Sequence, residues 1–116
     1  MKFTITATHG NARAAELTDN EKKIDTPAFM TIGTYGSVKS LDADDLKKCN
    51  VEIILSNAFH LMLRPGTSII TKSGGLHKYM NWDGLILTDS GGYQVFSLGK
   101  EVKLSLIHIS EPTRPR

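Results

Sequence analysis

The segment that most constrains this chain is an apolar run, LIL at residues 85–87, which ends abruptly in TDSGGYQ at residues 88–94. A short, continuous apolar run is typical of a strand buried in a parallel sheet. α/β enzymes bind their ligands at the carboxyl ends of such strands. The segment therefore predicts a ligand site in which Asp89, set where the apolar run stops, is the reactive group.

The residues before this segment alternate between strand-like and helix-like patterns. Short apolar stretches predict two earlier strands of the same sheet, and helix signals predict the connections between them. The predicted strands are residues 28–32, 51–55 and 85–87. The predicted helices are 42–49 and 67–72, and residues 76–80 are expected to be helical or irregular. This order predicts an α/β protein with a parallel sheet. Repeats of about 25–30 residues fit the start of a (β/α)8 TIM barrel, and they also fit a flavodoxin-like open sheet.

The first 25 residues follow a different pattern. Phe3, Ile5 and Ala7 alternate with threonines, which is the period of a half-buried strand. Turn signals at 9–11 and 18–21 are followed by further strand patterns at 13–17 and 22–25. We therefore expect antiparallel strands before the parallel sheet.

Composition excludes several classes of protein. The chain has 116 residues, a net charge of +2 and one cysteine, Cys49. One cysteine allows no internal disulfide and no zinc site built on cysteines. No apolar stretch approaches the ~20 residues of a membrane helix. These features predict a cytoplasmic protein, with too little charge to indicate nucleic-acid binding by itself.

The carboxyl-terminal segment differs from the rest of the chain. Residues 104–115, LSLIHISEPTRP, correspond to one translated frame of a transposon-end adapter that is used to prepare DNA sequencing libraries. The alternative is a genuine tail. We expect natural sequence to end near Lys103, so that residues 1–103 form one domain and residues 104–116 form none.

Three stretches resemble the tRNA-guanine transglycosylase (queuine tRNA-ribosyltransferase) family: TPAFMTIGTYGSVKSL (26–41), LSNAFHLMLRPG (55–66) and GLILTDSGGYQVFSLG (84–99). The resemblance implies an N-terminal antiparallel sheet and the first three βα units of a truncated (β/α)8 barrel. Family members exchange the guanine at the tRNA wobble position for a 7-deazaguanine, prequeuosine-1 base or queuine, in queuosine biosynthesis. The resemblance also implies a zinc-containing homodimer, whose nucleophilic aspartate and zinc ligands would lie downstream of this chain. The chain alone is then expected to be inactive and poorly soluble.

The resemblance also implies roles for the residues after the third strand. Retention at the ribose carbon needs two displacements, so one carboxylate attacks and a second group moves the proton. Asp89 would be that second group, and its alternative role is a cap. Ser90 would bind the base edge, or else cap the next element.

The rest of this segment would complete the base pocket. Gly91 and Gly92 permit close approach of the backbone to a ligand, although a flexible loop explains them too. Tyr93 would stack on the base rather than pack in the core. Gln94 would line the pocket or support it.

Two residues at the ends of the earlier strands are expected beside the ribose. Ile32 and Asn57 would border the exchanged nucleotide by resemblance, and Asn57 has an Asx turn as its alternative. His60 is expected to be a buried structural histidine, and Lys39 lies where the family forms dimer contacts. Two rival functions stay open: a non-catalytic tRNA-binding partner subunit, and an unrelated barrel enzyme acting on phosphorylated metabolites.

Overall fold

The computed structural model describes residues 1–90, which form two three-stranded sheets and four short helices. The first sheet is antiparallel and contains β1 (Lys2–His9), β2 (Ala12–Asp19) and β3 (Lys22–Thr26) in that order. Positive φ angles at Gly10 and Asn20 reverse the chain between these strands. The predicted antiparallel N-terminal strands are therefore confirmed.

The prediction that β1 is half-buried is wrong. Phe3 and Ile5 are 49% and 53% exposed, because β1 lies at the edge of the sheet and the described residues place no layer over it. The buried residues of this sheet are Ala15 in β2 and Ile24 in β3. Arg13 lies over the Phe3 ring, with 5.9 Å between the guanidinium carbon and the ring centroid, and gives the exposed ring a cation–π contact.

The second sheet is parallel, with the order β4 (Thr31–Ile32), β5 (Ile53–Asn57) and β6 (Leu85–Asp89). β5 and β6 extend two residues further toward their carboxyl ends than predicted, so Asn57 and Asp89 belong to the ladder. β4 is shorter than the predicted 28–32. Because Thr31 pairs with Ile54, residues 28 and 29 fall opposite residues that precede β5, where the ladder has not begun.

The helices are α1 (Ala43–Lys48), α2 (Ala58–Leu63), α3 (Thr67–Lys72) and α4 (Leu76–Met80). Asp42 caps α1: its Oδ1 accepts from the Asp45 backbone N–H at 2.8 Å, and Asp45 Oδ2 accepts from the Asp42 N–H at 3.1 Å. The sequence pattern predicts α1, α3 and α4 but not α2. Residues 59–63 show no polar face, and α2 follows β5 without a turn.

Two apolar clusters hold the sheets and helices together. Ile24 of β3 packs with Ile53 and Leu85 at the amino ends of the parallel strands. On the opposite face of the parallel sheet, Leu46 of α1 packs with Ile54 and Trp82. Alternate residues of each parallel strand thus serve opposite faces.

The antiparallel sheet covers the amino end of one face and leaves the carboxyl end of that face open. The mixed α/β class is confirmed for residues 1–90, and closure into a barrel remains a prediction. Within these residues, no helix is both long and apolar enough to span a membrane.

Candidate functional site

Asn57 and Asp89 form the centre of the candidate site. They are register partners at the carboxyl ends of β5 and β6, so their side chains lie on the same face of the sheet. Asn57 Nδ2 donates a hydrogen bond to Asp89 Oδ2 at 3.2 Å. The structure thus brings two of the predicted site residues together.

The Asn57 carboxamide also begins the next helix. Its Oδ1 accepts a hydrogen bond from the His60 backbone N–H at 3.1 Å, which caps α2. This bond requires the amide oxygen to face the helix, and the NH2 group is then directed to Asp89. The two roles considered for Asn57, a local backbone cap and a group beside the reacting centre, are carried by different atoms of one side chain.

Apolar side chains lie one pleat below this pair. Ile32, Leu55 and Leu87 are register partners on the face that holds Asn57 and Asp89. Ile32 is 61% exposed and Leu87 is 41% exposed, so the row is open to an incoming group. The structure therefore brings Ile32 near Asn57 and Asp89 at one edge of the sheet. An apolar surface beside a carboxylate can hold an uncharged part of a ligand.

The close approach of β4 to β5 depends on Gly33. Its N–H donates to the Leu55 carbonyl at 2.7 Å. A Cβ at this position would lie 2.8 Å from Ile54 Cγ2, so a side chain would push the strands apart. Gly33 thus positions Ile32 beside the site, although it was not among the predicted site residues.

The remaining predicted site residues lie at or beyond the end of the described chain. Ser90 follows β6 and is exposed. Gly91, Gly92, Tyr93 and Gln94 lie outside the described residues, and their roles stay predictions. Asp89 lies within the described residues, and its catalytic role also stays a prediction.

An aromatic group beside the site was not foreseen. The His60 ring meets Tyr35 edge-on, with 5.3 Å between the ring centroids, and meets Phe59 edge-on at 5.6 Å. His60 is half-buried, so the prediction of a buried histidine is wrong in degree: α2 packs only part of the ring. Phe59 and His60 are adjacent in the sequence, but nothing in the sequence indicates that Tyr35 contacts His60.

The zinc ligands implied by the resemblance would lie downstream of this chain, so the zinc site stays a prediction. Among residues 1–90, no group of three or more His, Cys, Asp or Glu side chains could hold a metal ion. Cys49 is exposed at the end of α1. No step of the chemistry below uses a metal.

A parallel α/β sheet with a carboxylate at a strand's carboxyl end is the framework of many ligand-converting enzymes. The family model described as "Queuine tRNA-ribosyltransferase" matches residues 8–113. The chain therefore belongs to the queuine tRNA-ribosyltransferase family, which confirms the resemblance stated above.

Individual relatives support this assignment. The chain is 53% identical over 114 residues to the queuine tRNA-ribosyltransferase of Herminiimonas arsenicoxydans, a match that covers 97% of this chain and 30% of the relative. It is 55% identical over 105 residues to the enzyme of Pseudoalteromonas translucida, covering 90% of this chain and 28% of the relative. It is 57% identical over 105 residues to that of Francisella tularensis subsp. tularensis, covering 90% and 29%. The chain thus spans about 30% of the length of these relatives.

Proposed function

We propose that this chain is the N-terminal part of a transferase that replaces guanine in tRNA with a 7-deazaguanine. The carrying observation is the Asn57–Asp89 pair at the carboxyl ends of two adjacent parallel strands, in a chain of this family. The incoming 7-deazaguanine is proposed to be prequeuosine-1 base or queuine. The wobble position of the anticodon is the proposed place of exchange.

Asp89 is proposed to move the proton in a double displacement. An aspartate from the rest of the protein attacks the ribose carbon as the bond to guanine breaks, and Asp89 gives its proton to the departing base. The 7-deazaguanine then displaces the aspartate, and Asp89 takes the proton that the new base loses. Asn57 holds Asp89 Oδ2 at 3.2 Å and so limits the positions that the carboxylate can take.

The pocket is proposed to divide between base and ribose. Ser90, Gly91, Gly92, Tyr93 and Gln94 would surround the base. Ile32 and Asn57 would lie against the ribose, where an amide can exchange hydrogen bonds with hydroxyls. The exposed Ile32 side chain supports this proposal, since nothing in residues 1–90 covers it.

The complete protein is proposed to be a cytoplasmic homodimer that holds zinc through residues outside this chain. The 116-residue chain should not catalyse exchange by itself. Its described part offers three parallel strands, and the aspartate that attacks the ribose is expected in the rest of the protein.

The first test is to sequence the source locus without transposon tagging, past the codon for Lys103, and to assay the full protein for exchange of labelled guanine into tRNA. We expect exchange, and Asp89→Asn should reduce its rate by about 10²-fold or more because proton transfer is lost. Asp44→Asn, an exposed carboxylate in the first turn of α1, is the matched control and should keep the rate. An active Asp89→Asn enzyme would contradict the assignment.

The same experiment decides between the rivals. A continuation without a nucleophilic aspartate would favour the non-catalytic partner subunit. Family membership speaks against an unrelated barrel enzyme of phosphorylated metabolites.

A further inference from the structure

A basic cavity lies at the end of β6 opposite to Asp89. It is a wide depression open to solvent, with a volume of about 510 Å³. Trp82 and Asp83, which precede β6, form one side of the cavity. Asp89 ends the same strand, so the cavity and the candidate catalytic site lie at opposite ends of the sheet.

Lysines from three separate elements line this cavity. Lys22 comes from β3, Lys47 from α1 and Lys78 from α4. Asp83 is the one carboxylate in the lining, so the lining carries a net charge of +2 when His77 is neutral. Asp83 lies 3.4 Å from Lys47, and both side chains are half or more exposed. This pair leaves the charges of Lys22 and Lys78 without a carboxylate in the cavity wall.

Lys22 and His77 meet at a single backbone carbonyl. The Gly84 oxygen accepts from Lys22 Nζ at 3.4 Å and lies 2.9 Å from His77 Nε2. A carbonyl can only accept, so His77 Nε2 carries the hydrogen. Lys22 retains further N–H donors for a ligand after this bond. The buried Trp82 indole donates to the Leu85 carbonyl at 3.1 Å and makes a fixed wall.

Helix dipoles explain some of these cations but not all. Lys47, His77 and Lys78 lie in the last turns of α1 and α4, where positive side chains offset the negative helix end. Lys22 begins a strand, and it reaches Gly84 from 62 positions away in the sequence. No helix dipole therefore accounts for the position of Lys22 in the cavity.

We propose that this cavity binds phosphate groups. Ammonium groups bind phosphate as compact charges with several donors, and the three lysines surround a space that exceeds one phosphate. The ligand is a small phosphorylated molecule or the backbone of an RNA strand, since both present the same group. The proposal does not depend on the exchange reaction, and its test involves no catalysis.

The test uses the full-length protein, because the 116-residue chain alone is not expected to fold. Inorganic pyrophosphate is titrated into the full-length protein while calorimetry and tryptophan emission, to which Trp82 of the cavity wall contributes, are followed. We expect a saturable change. Lys22→Gln and Lys78→Gln should each weaken binding about tenfold or more, because each removes a hydrogen bond to a charged group.

Lys72→Gln is the matched control, since it removes the same charge from the last turn of the neighbouring helix α3. It should bind pyrophosphate within about twofold of the unchanged protein. Absence of saturable binding by both methods, or equal weakening by Lys72→Gln, overturns the proposal.

A second titration identifies the source of the phosphate. A short single-stranded RNA without terminal phosphates is added, and pyrophosphate is used as competitor. RNA binding that pyrophosphate displaces and that Lys78→Gln weakens supports the site with RNA backbone as ligand. Pyrophosphate binding without RNA binding supports it with a small phosphorylated ligand.

Discussion

Substituting Asn57 by serine and by alanine should separate two functions that this side chain combines. Oδ1 caps α2 through the His60 N–H at 3.1 Å, and Nδ2 donates to Asp89 at 3.2 Å. Serine is a good N-cap but is too short to reach Asp89. Alanine can make neither hydrogen bond.

The expected magnitudes follow from these two bonds. Removing an N-cap costs about 1 kcal/mol of stability, so alanine should be less stable than serine by about that amount. A hydrogen bond to a charged group contributes about 1.5–3 kcal/mol, and its loss from a positioned catalytic carboxylate should lower kcat/KM by about 10-fold to 100-fold. That loss should be the same in both variants, because neither can donate to Asp89.

The assay is guanine exchange by the full-length enzyme, with urea unfolding of the same preparations. Asn11→Ala, in the exposed turn between β1 and β2, is the control and should change neither quantity. Wild-type exchange by Asn57→Ser would refute the role of the Asp89 contact. Equal stability of the serine and alanine variants would refute the role of the cap.

Other predictions concern packing and folding. In the full-length enzyme, Ile24→Ala should cost about 2–4 kcal/mol in urea unfolding, because the side chain is buried against Ile53 and Leu85; a cost below 1 kcal/mol would mean that the antiparallel sheet is not docked there. Gly33→Val should lower exchange as well as stability, because its Cβ would lie 2.8 Å from Ile54 Cγ2, and unchanged kinetics would contradict this. The 116-residue chain alone should lack sharp near-UV dichroism and bind hydrophobic dyes, since its apolar row and sheet edges are uncovered. A cooperative melt with a sharp near-UV spectrum would show that the chain folds independently.

The sequence predicts those features that depend on local pattern. Apolar runs identify β5 and β6. The polar residues at the ends of these runs identify Asn57 and Asp89 as neighbours in space. Acidic and basic residues at the correct ends identify α1. These features follow from periodicity and end signals, which act within a few residues.

The features that the sequence does not predict depend on which segments pack against each other. The start of β5 at Ile53 leaves residues 28 and 29 without strand partners, and β1 is exposed because it lies at a sheet edge. α2 begins without a turn because Asn57 ends a strand and caps a helix at once. The position of Gly33 beside Ile54 and the contact of Tyr35 with His60 result from packing between distant segments.

The pairing of β5 with β6 also fixes the distance between the apolar core and the candidate site. Ile53 and Leu85 are buried partners at the amino end, and four residue steps further along the ladder the partners are Asn57 and Asp89, about 13 Å away. One residue inserted into β6 after Leu85 would turn Asp89 to the helix-covered face, whereas two would return it to the open face about 7 Å too far along. The number of residues between Leu85 and Asp89 therefore sets the face of the sheet on which the carboxylate lies and its distance along the strand. Reprogramming this site by changing strand length would have to proceed in steps of two.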